Sequence, residues 1–208
     1  EKTERTLAKH GEGGDEWKNT VLLGSKLGTA EDIKRRKGLA SAAWGKYTVI
    51  ITNKDLPLNL RVSYFVAFVN SIFLYNCGLW TLTSKLEHQI DVFQRGFLRR
   101  IIGIRYPKKI TNAELYKVTK QEPWSIICRK RRLTLFGHTC RLPEGAPARI
   151  ALQEALKPIK YTVGGQKLTY IRLVKKDLSK VGVKLQQAQL IAQDKHEFRA
   201  LVRRVMSC

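Results

Sequence analysis

Between Val62 and Ser84 the chain carries no charged residue. A run of that length in a protein otherwise dense in Lys and Arg has to leave water, and the rest of the fold must accommodate it. The run sits inside the stretch Leu60 to Ile104, which opens as LRVSYFVAFVNSIFLYNCGLW and continues as SKLEHQIDVFQRGFLRRIIGI. Wound as a helix, the second part places Leu86, Ile90, Phe93, Phe97 and Ile101 on one stripe at i, i+4, i+7 spacing. His88, Arg95 and Arg99 fall on the opposite side. The spacing therefore predicts a greasy helix backed by one whose outer surface attracts anions.

The uncharged run is long enough to span a bilayer, and Arg61 and Lys85 flank it. It also contains Ser63, Asn70, Ser71, Asn76 and Gly78, and two Asn without partners in hydrocarbon would be costly. A buried central helix from about Pro57 to Thr81 is the expectation, with a span over residues 62–80 as the lesser alternative.

Charge narrows the partners. Lys and Arg number 39 against 17 acidic residues, a formal net charge of +22. So large a surplus repels itself unless a polyanion screens it, which points to nucleic acid first and an anionic membrane surface second. With 43% hydrophobic residues the chain is not a disordered tail, and 208 residues suffice for one domain or two small ones. Cys77, Cys128, Cys140 and Cys208 are too dispersed for a disulfide framework and fit a reducing intracellular compartment, nucleus or cytoplasm. No signal peptide opens the chain, and the abrupt EKTERT start without Met is the expectation for a piece of a longer protein.

Taken in order, residues 1–28 read as extended. KTERTLA and WKNTVLL alternate in part and flank the turn signal GEGGDE, with further turns at Gly24 and Gly28. Thr29 is the expected N-cap of a helix with Glu31 and Asp32 in its first turn and Ile33, Ala40, Trp44, Tyr47 and Ile51 facing inward. Arg35 and Lys46 lie opposite, and Gly38 and Gly45 weaken it. Asn53, Asp55 and Pro57 mark the next boundary. Beyond the basic linker RYPKKITN, with Lys108 and Lys109, Thr111 or Asn112 caps a short helix. Pro123 precedes WSIICRKRRLTLFGHTCRL, whose run Arg129, Lys130, Arg131, Arg132 is either a solvated face or a phosphate contact. PEGAPA is a loop, and Ala148 to Leu156 a short helix. KPIKYTVGGQK is a loop or ragged hairpin. Two helices close the chain, LTYIRLVKKDLSKVG with Gly182 as C-cap and LQQAQLIAQDKHEFRALVRRV.

Catalytic and metal chemistry find little support. Cys128, His138 and Cys140 match no common zinc spacing, and the two Cys read as core thiols. No nucleophile elbow and no phosphate-cradling glycine loop occurs; Gly11, Gly13 and Gly14 are followed by acids. The acidic pairs Asp15–Glu16 and Glu31–Asp32 have structural explanations, so no converging carboxylates for metal-assisted phosphoryl transfer are evident. On residues alone the chain binds rather than catalyses. Cations recurring on successive helices predict backbone contact, salt dependence and little base readout, a pattern suited to an A-form duplex recognised by shape.

The ordered segments KTE, LLGSKL, EDIKRRKGLASAAW, SIFLYNCGLWTLT, FQRGFLRRIIGI and RRLTLFGHTCRLPEGAPARIAL, with the tail LTYIRLVKKDLSKVGVKL, resemble the region downstream of the polymerase active site in non-LTR (LINE-like) retrotransposon reverse transcriptases. The resemblance covers nearly the whole chain, and no single motif decides it. By position it implies that Lys2 and Thr3 belong to the lysine-bearing end of the palm. Leu23 and Gly24 would form the primer-grip turn, and Thr29 to Ile104 the thumb that closes over template and primer. Gly137 and His138 match the family's Gly-His pair. The paired-aspartate motif would lie upstream of Glu1 and is absent, as are fingers, endonuclease and CCHC zinc element. The implied parent is an RNA-directed DNA polymerase whose Mg belongs to that palm; no cofactor is expected in this piece.

The expectation is thus a mainly α fold. A short N-terminal β-hairpin (1–28) leads into a helical thumb-like bundle (29–106) and a smaller basic helical C-terminal part (107–208). It would bind RNA or an RNA·DNA hybrid, adjoin the palm and fingers of the same polypeptide, and involve no membrane. Its expected contacts are Lys2, Leu23, Gly24, Arg35, Lys46, Arg95, Arg99, Lys108, Lys109 and Arg129 to Arg132. The alternatives are a stand-alone RNA-binding protein of the ribosome-associated kind, an interaction domain for an acidic protein, and the membrane span.

Overall fold

In a computed structural model of the chain the described residues are 18, 20–104, 107–157 and 168–207. They are mainly helical with one short antiparallel hairpin. They form two compact units. One comprises the chain up to Tyr75 with Arg99–Lys109; the other comprises Asn76–Leu98 with Ile110–Cys208.

In the first unit, β1 (Val21–Leu22) pairs with β2 (Ser25–Lys26) in the register Val21 to Lys26 and Leu22 to Ser25. The turn residues Leu23 (φ 47°) and Gly24 (φ 77°) both lie in the left-handed region, the signature of a type I′ turn. The hairpin therefore closes at Leu23-Gly24; the GEGGDE turn and the first expected strand lie outside the described residues. Helix α1 (Thr29–Ile51) is capped one residue earlier than expected. Gly28 is the extended N-cap residue, no side chain caps it, and Thr29 is already helical.

The inward face of α1, with Ile33, Ala40, Trp44 and Ile51, is buried. It packs on α2 (Leu58–Phe65), a π-helical segment (Val66–Asn70) and α3 (Ser71–Phe73). Trp44 meets Phe65 edge-on at 6.4 Å, and Tyr47 stacks on Phe68 at 4.2 Å. Burying a side chain of this size contributes roughly 1.5–3 kcal/mol. The continuous helix expected from Pro57 to Thr81 is not formed. The π turn interrupts it, it ends at Phe73, and Asn76 turns into the left-handed region (φ 60°) before a 3-10 turn at Cys77–Leu79. No described helix is long and apolar enough to cross a membrane.

The second unit is built on α4 (Ser84–Ile102, whose last turn belongs to the first unit), α5 (Asn112–Thr119), α6 (Trp124–Cys140), α7 (Pro147–Leu156), α8 (Tyr170–Ser179), α9 (Leu185–Ile191) and α10 (Lys195–Ser207). Residues 76–98 group with the C-terminal helices rather than with 29–75, because the 3-10 turn lies against α6. Gly78 is there for the contact: an added Cβ would sit 3.3 Å from the Arg131 backbone. Thr111 caps α5 through a capping box with Glu114, its Oγ1 accepting from Glu114 N at 3.2 Å.

Helix α6 is the axis of this unit. Its N-terminus is satisfied from α4. Asp91 Oδ1 accepts from Ser125 N at 2.9 Å, and the fully buried Gln94 accepts from Trp124 N at 2.9 Å while donating to Glu122 O at 2.9 Å. Its C-terminal half, with Leu133, Phe136 and Cys140, packs into a core with Leu152, Val174, Leu178, Phe198 and Val205. The last expected helix is two helices. Chain direction changes at Ala192–Asp194, and Asp194 Oδ1 accepts from His196 N at 2.6 Å and Glu197 N at 3.0 Å to start α10. Gly182 takes φ 70° after α8, the C-terminal role its spacing predicts.

Candidate nucleic-acid interface

The hairpin tip is held by α1. Arg36, 6% exposed, lays its guanidinium over the Tyr75 ring at 4.5 Å. Its Nη2 donates to Gly24 O and, at 3.1 Å, to Ser25 Oγ. Buried Asp32 faces Arg36 Nε at 3.8 Å and accepts from Lys26 N at 2.9 Å. Tyr75 OH donates to Leu23 O at 3.1 Å. The clamp holds Leu23 where a non-glycine residue costs about 1–2 kcal/mol, with its side chain 83% exposed. Val21 and Leu22 are also exposed, so the tip presents apolar surface on a rigid mount. Arg35 is half-buried and also donates to Gly24 O; the structure uses it to hold the turn, not as a free cation.

The outward face of α1 carries Lys34, Gly38 and Gly45, all exposed, with exposed Lys46 on its flank. An added Cβ at Gly38 or Gly45 would meet nothing within 4 Å. Packing does not require either glycine, and each weakens the helix by about 0.5–1 kcal/mol. The result is a low-relief face bordered by ammonium groups, with the Glu31 carboxylate beside Lys34 at its N-terminal end.

Of the other expected contacts, Arg95 and Arg99 are half-buried one turn apart on α4. Lys108 and Lys109 are exposed in the linker. Lys2 lies outside the described residues.

The basic run on α6 separates by helix angle. Arg132 is 1% exposed, with Nε and Nη2 donating to Asp177 Oδ2 at 3.0 and 2.8 Å and Nη1 to Trp80 O at 3.3 Å. Arg129 faces the same carboxylate, Nε to Oδ1 at 3.2 Å. Both serve the interior, which removes Arg132 from any surface and neutralises Arg129. Lys130 and Arg131 remain exposed. Arg131 Nη1 reaches Cys77 Sγ at 3.8 Å. The Cys77 thiol is held below its ordinary range by a hydrogen bond from Cys128, with the Arg131 charge assisting; burial pushes the Cys128 thiol well up. Cys128 and Cys140 are buried while His138 is exposed, and no group of described His, Cys, Asp or Glu is placed to hold a metal.

Sequence reasoning missed the place where cations face one another across a groove. Helices α6 and α10 run antiparallel, as Arg141 Nη1 donating to Ala192 O at 2.7 Å and the seating of Phe198 on Gly137 require. Between them lies a groove of about 600 Å³. One wall is Lys130, Thr134, His138 and Arg141; the other is Lys195, His196, Arg199 and Arg203; Phe198 and Val202 form the floor. No carboxylate occurs among the described lining residues, and no ion pair among the described residues involves Lys130, Lys195, Arg199 or Arg203. The nearby Asp194 spends its Oδ1 on the amides of α10. The i, i+4, i+8 spacing of Lys130, Thr134 and His138 and of Lys195, Arg199 and Arg203 is the one signal the sequence offered for each wall.

No family model, no curated protein and no solved structure matches this chain.

Proposed function

We propose that the chain is the thumb and downstream part of a non-LTR retrotransposon reverse transcriptase and that it holds an RNA·DNA or RNA duplex through phosphates, with no catalytic centre of its own. The outward face of α1 carries this reading. Two glycines that packing does not need lie on a low-relief helix face between Lys34 and Lys46, beside a clamped apolar hairpin tip. A flat helix side lets backbone approach backbone, while the flanking ammonium groups supply sequence-independent attraction.

The test is fluorescence anisotropy of a 12-bp hybrid duplex against the full chain at rising salt. Counterion release gives a log–log slope of roughly −0.9 per phosphate contact, so four contacts cost about 100-fold between 50 and 200 mM salt. Lys34→Glu with Lys46→Glu should weaken binding and flatten the slope by about two contacts. A salt-independent affinity, or a double variant that binds like the parent, would overturn the proposal.

A further inference from the structure

The groove between α6 and α10 differs in kind from the flat face of α1. We infer that it is a second site, one that takes a single strand of RNA or DNA by its phosphodiester backbone. The inference rests on the reading that the partner is nucleic acid.

Three observations point to one strand. First, the walls are cationic on both sides. Lys130 stands on one and Lys195, Arg199 and Arg203 on the other, so a bound chain is neutralised from two directions. Second, the groove is a trough between two packed antiparallel helices. The walls are neighbouring helices in contact, because Gly137 has no side chain and Phe198 fills the space where a Cβ would go. Helices packed this way have axes about 8–10 Å apart. A duplex presents a major groove of about 12 Å alone and winds its backbone away from such a trough. An extended single strand follows it. Third, the cations repeat every four residues, a rise of about 6 Å, so successive charges along one wall can meet successive phosphates.

The floor adds a specificity statement. Phe198 and Val202 are 3% and 6% exposed, so the floor opens no ring face for base stacking, and the only other rings among the described lining residues are the wall imidazoles of His138 and His196. The groove should bind without base preference. Ribose and deoxyribose strands share the recognised chemistry, and both belong in the test.

The experiment uses the full chain with 5′-fluorescein dT10, rU10 and the 12-bp hybrid. Arg199→Glu with Arg203→Glu should weaken dT10 and rU10 at least 10-fold and leave the hybrid within 3-fold. Lys34→Glu with Lys46→Glu should do the reverse. Both positions on α10 are exposed, so the fold is expected to survive; Arg199→Gln with Arg203→Gln and helical circular dichroism guard against misfolding. Equal loss of single strand and hybrid in the α10 variant would overturn the inference, as would unchanged single-strand binding. Displacement of dT10 by polyglutamate as readily as by unlabelled dT10 would also overturn it, assigning the groove to an acidic polypeptide. If the α1 variant leaves the hybrid unaffected while the α10 variant still loses single strand, the duplex reading fails and this one stands.

Discussion

Gly137 of α6 lies directly beneath the ring of Phe198 on α10: a Cβ at residue 137 would come closer than 3.0 Å to Phe198 Cε1 and Cδ1. Phe198 is 3% exposed and meets Phe136 at 6.2 Å, so the ring cannot swing into solvent without emptying the core. This gives the Gly-His pair a physical account. The glycine lets the two helices touch, and the next residue, His138, lands exposed on the groove wall.

Gly137→Ala should therefore destabilise the protein by about 1–3 kcal/mol, although alanine is the better helix former. Urea unfolding measures it. Adding Phe198→Leu should recover part of the loss, since residues in contact couple by about 0.5–3 kcal/mol. An alanine variant as stable as the parent would show that the ring has room to move.

Asp177, 3% exposed, is shared by Arg129 and Arg132. Asp177→Asn leaves Arg132 buried without a counter-charge and should cost about 3–5 kcal/mol. Arg132→Met with Asp177→Leu removes both charges together and should cost far less. The contrast, read from denaturation midpoints, separates a structural ion pair from a phosphate-binding arginine. A large drop in nucleic-acid affinity in the folded Arg132→Met, Asp177→Leu protein would contradict the structural assignment.

The Arg129 to Arg132 run shows what the sequence could and could not reveal. Adjacent residues on a helix point about 100° apart, so four contiguous cations cannot share a face. Which one turns inward depends on Asp177, 45 residues further on. Punctuation was legible: Pro57, Pro123, Thr111 and Gly182 mark boundaries through local backbone chemistry. The Asp194 break was not, because QDKHE continues the polar side of an amphipathic pattern. The uncharged run looked like one helix because hydropathy cannot register a π turn. The groove joins two helices separated in sequence by more than fifty residues, and only tertiary packing brings its walls together.

Cys77 and Cys128 are both fully buried, so the lowered pKa of the Cys77 thiol does not translate into access. Iodoacetamide labelling in native buffer, mapped by mass spectrometry, should leave Cys77 and Cys128 unmodified while unfolded protein is modified at both. Rapid native labelling of either would mean that the 3-10 turn at Cys77–Leu79 opens from α6 easily.

Asp194 gives a pH dependence with a definite sign. Hydrogen bonds from the Glu197 and His196 amides, in that order, hold its carboxyl below the ordinary aspartate value of 3.8. A carboxyl depressed in the folded state stabilises α10 above that ordinary value, and the contribution disappears as pH falls through its lower folded pKa. Amide exchange in the first turn of α10 should accelerate as pH drops below 3.8 relative to the same measurement on Asp194→Ala, which has nothing to lose. Identical acid profiles for the two proteins would remove Asp194 as the cap.

Leu23 offers the sharpest separation of stability from function. Its left-handed backbone suits Asn, the preferred first residue of a type I′ turn before glycine, and its 83% exposed side chain contributes almost no burial. Leu23→Asn should raise stability by about 1 kcal/mol through relief of the backbone cost. On the proposed reading the leucine held outward by the Arg36 and Tyr75 clamp meets the duplex, so the same variant should weaken hybrid-duplex binding. Urea midpoints and hybrid anisotropy on one preparation decide it: greater stability with unchanged affinity would strip the hairpin tip of a binding role and leave the contact to α1 alone.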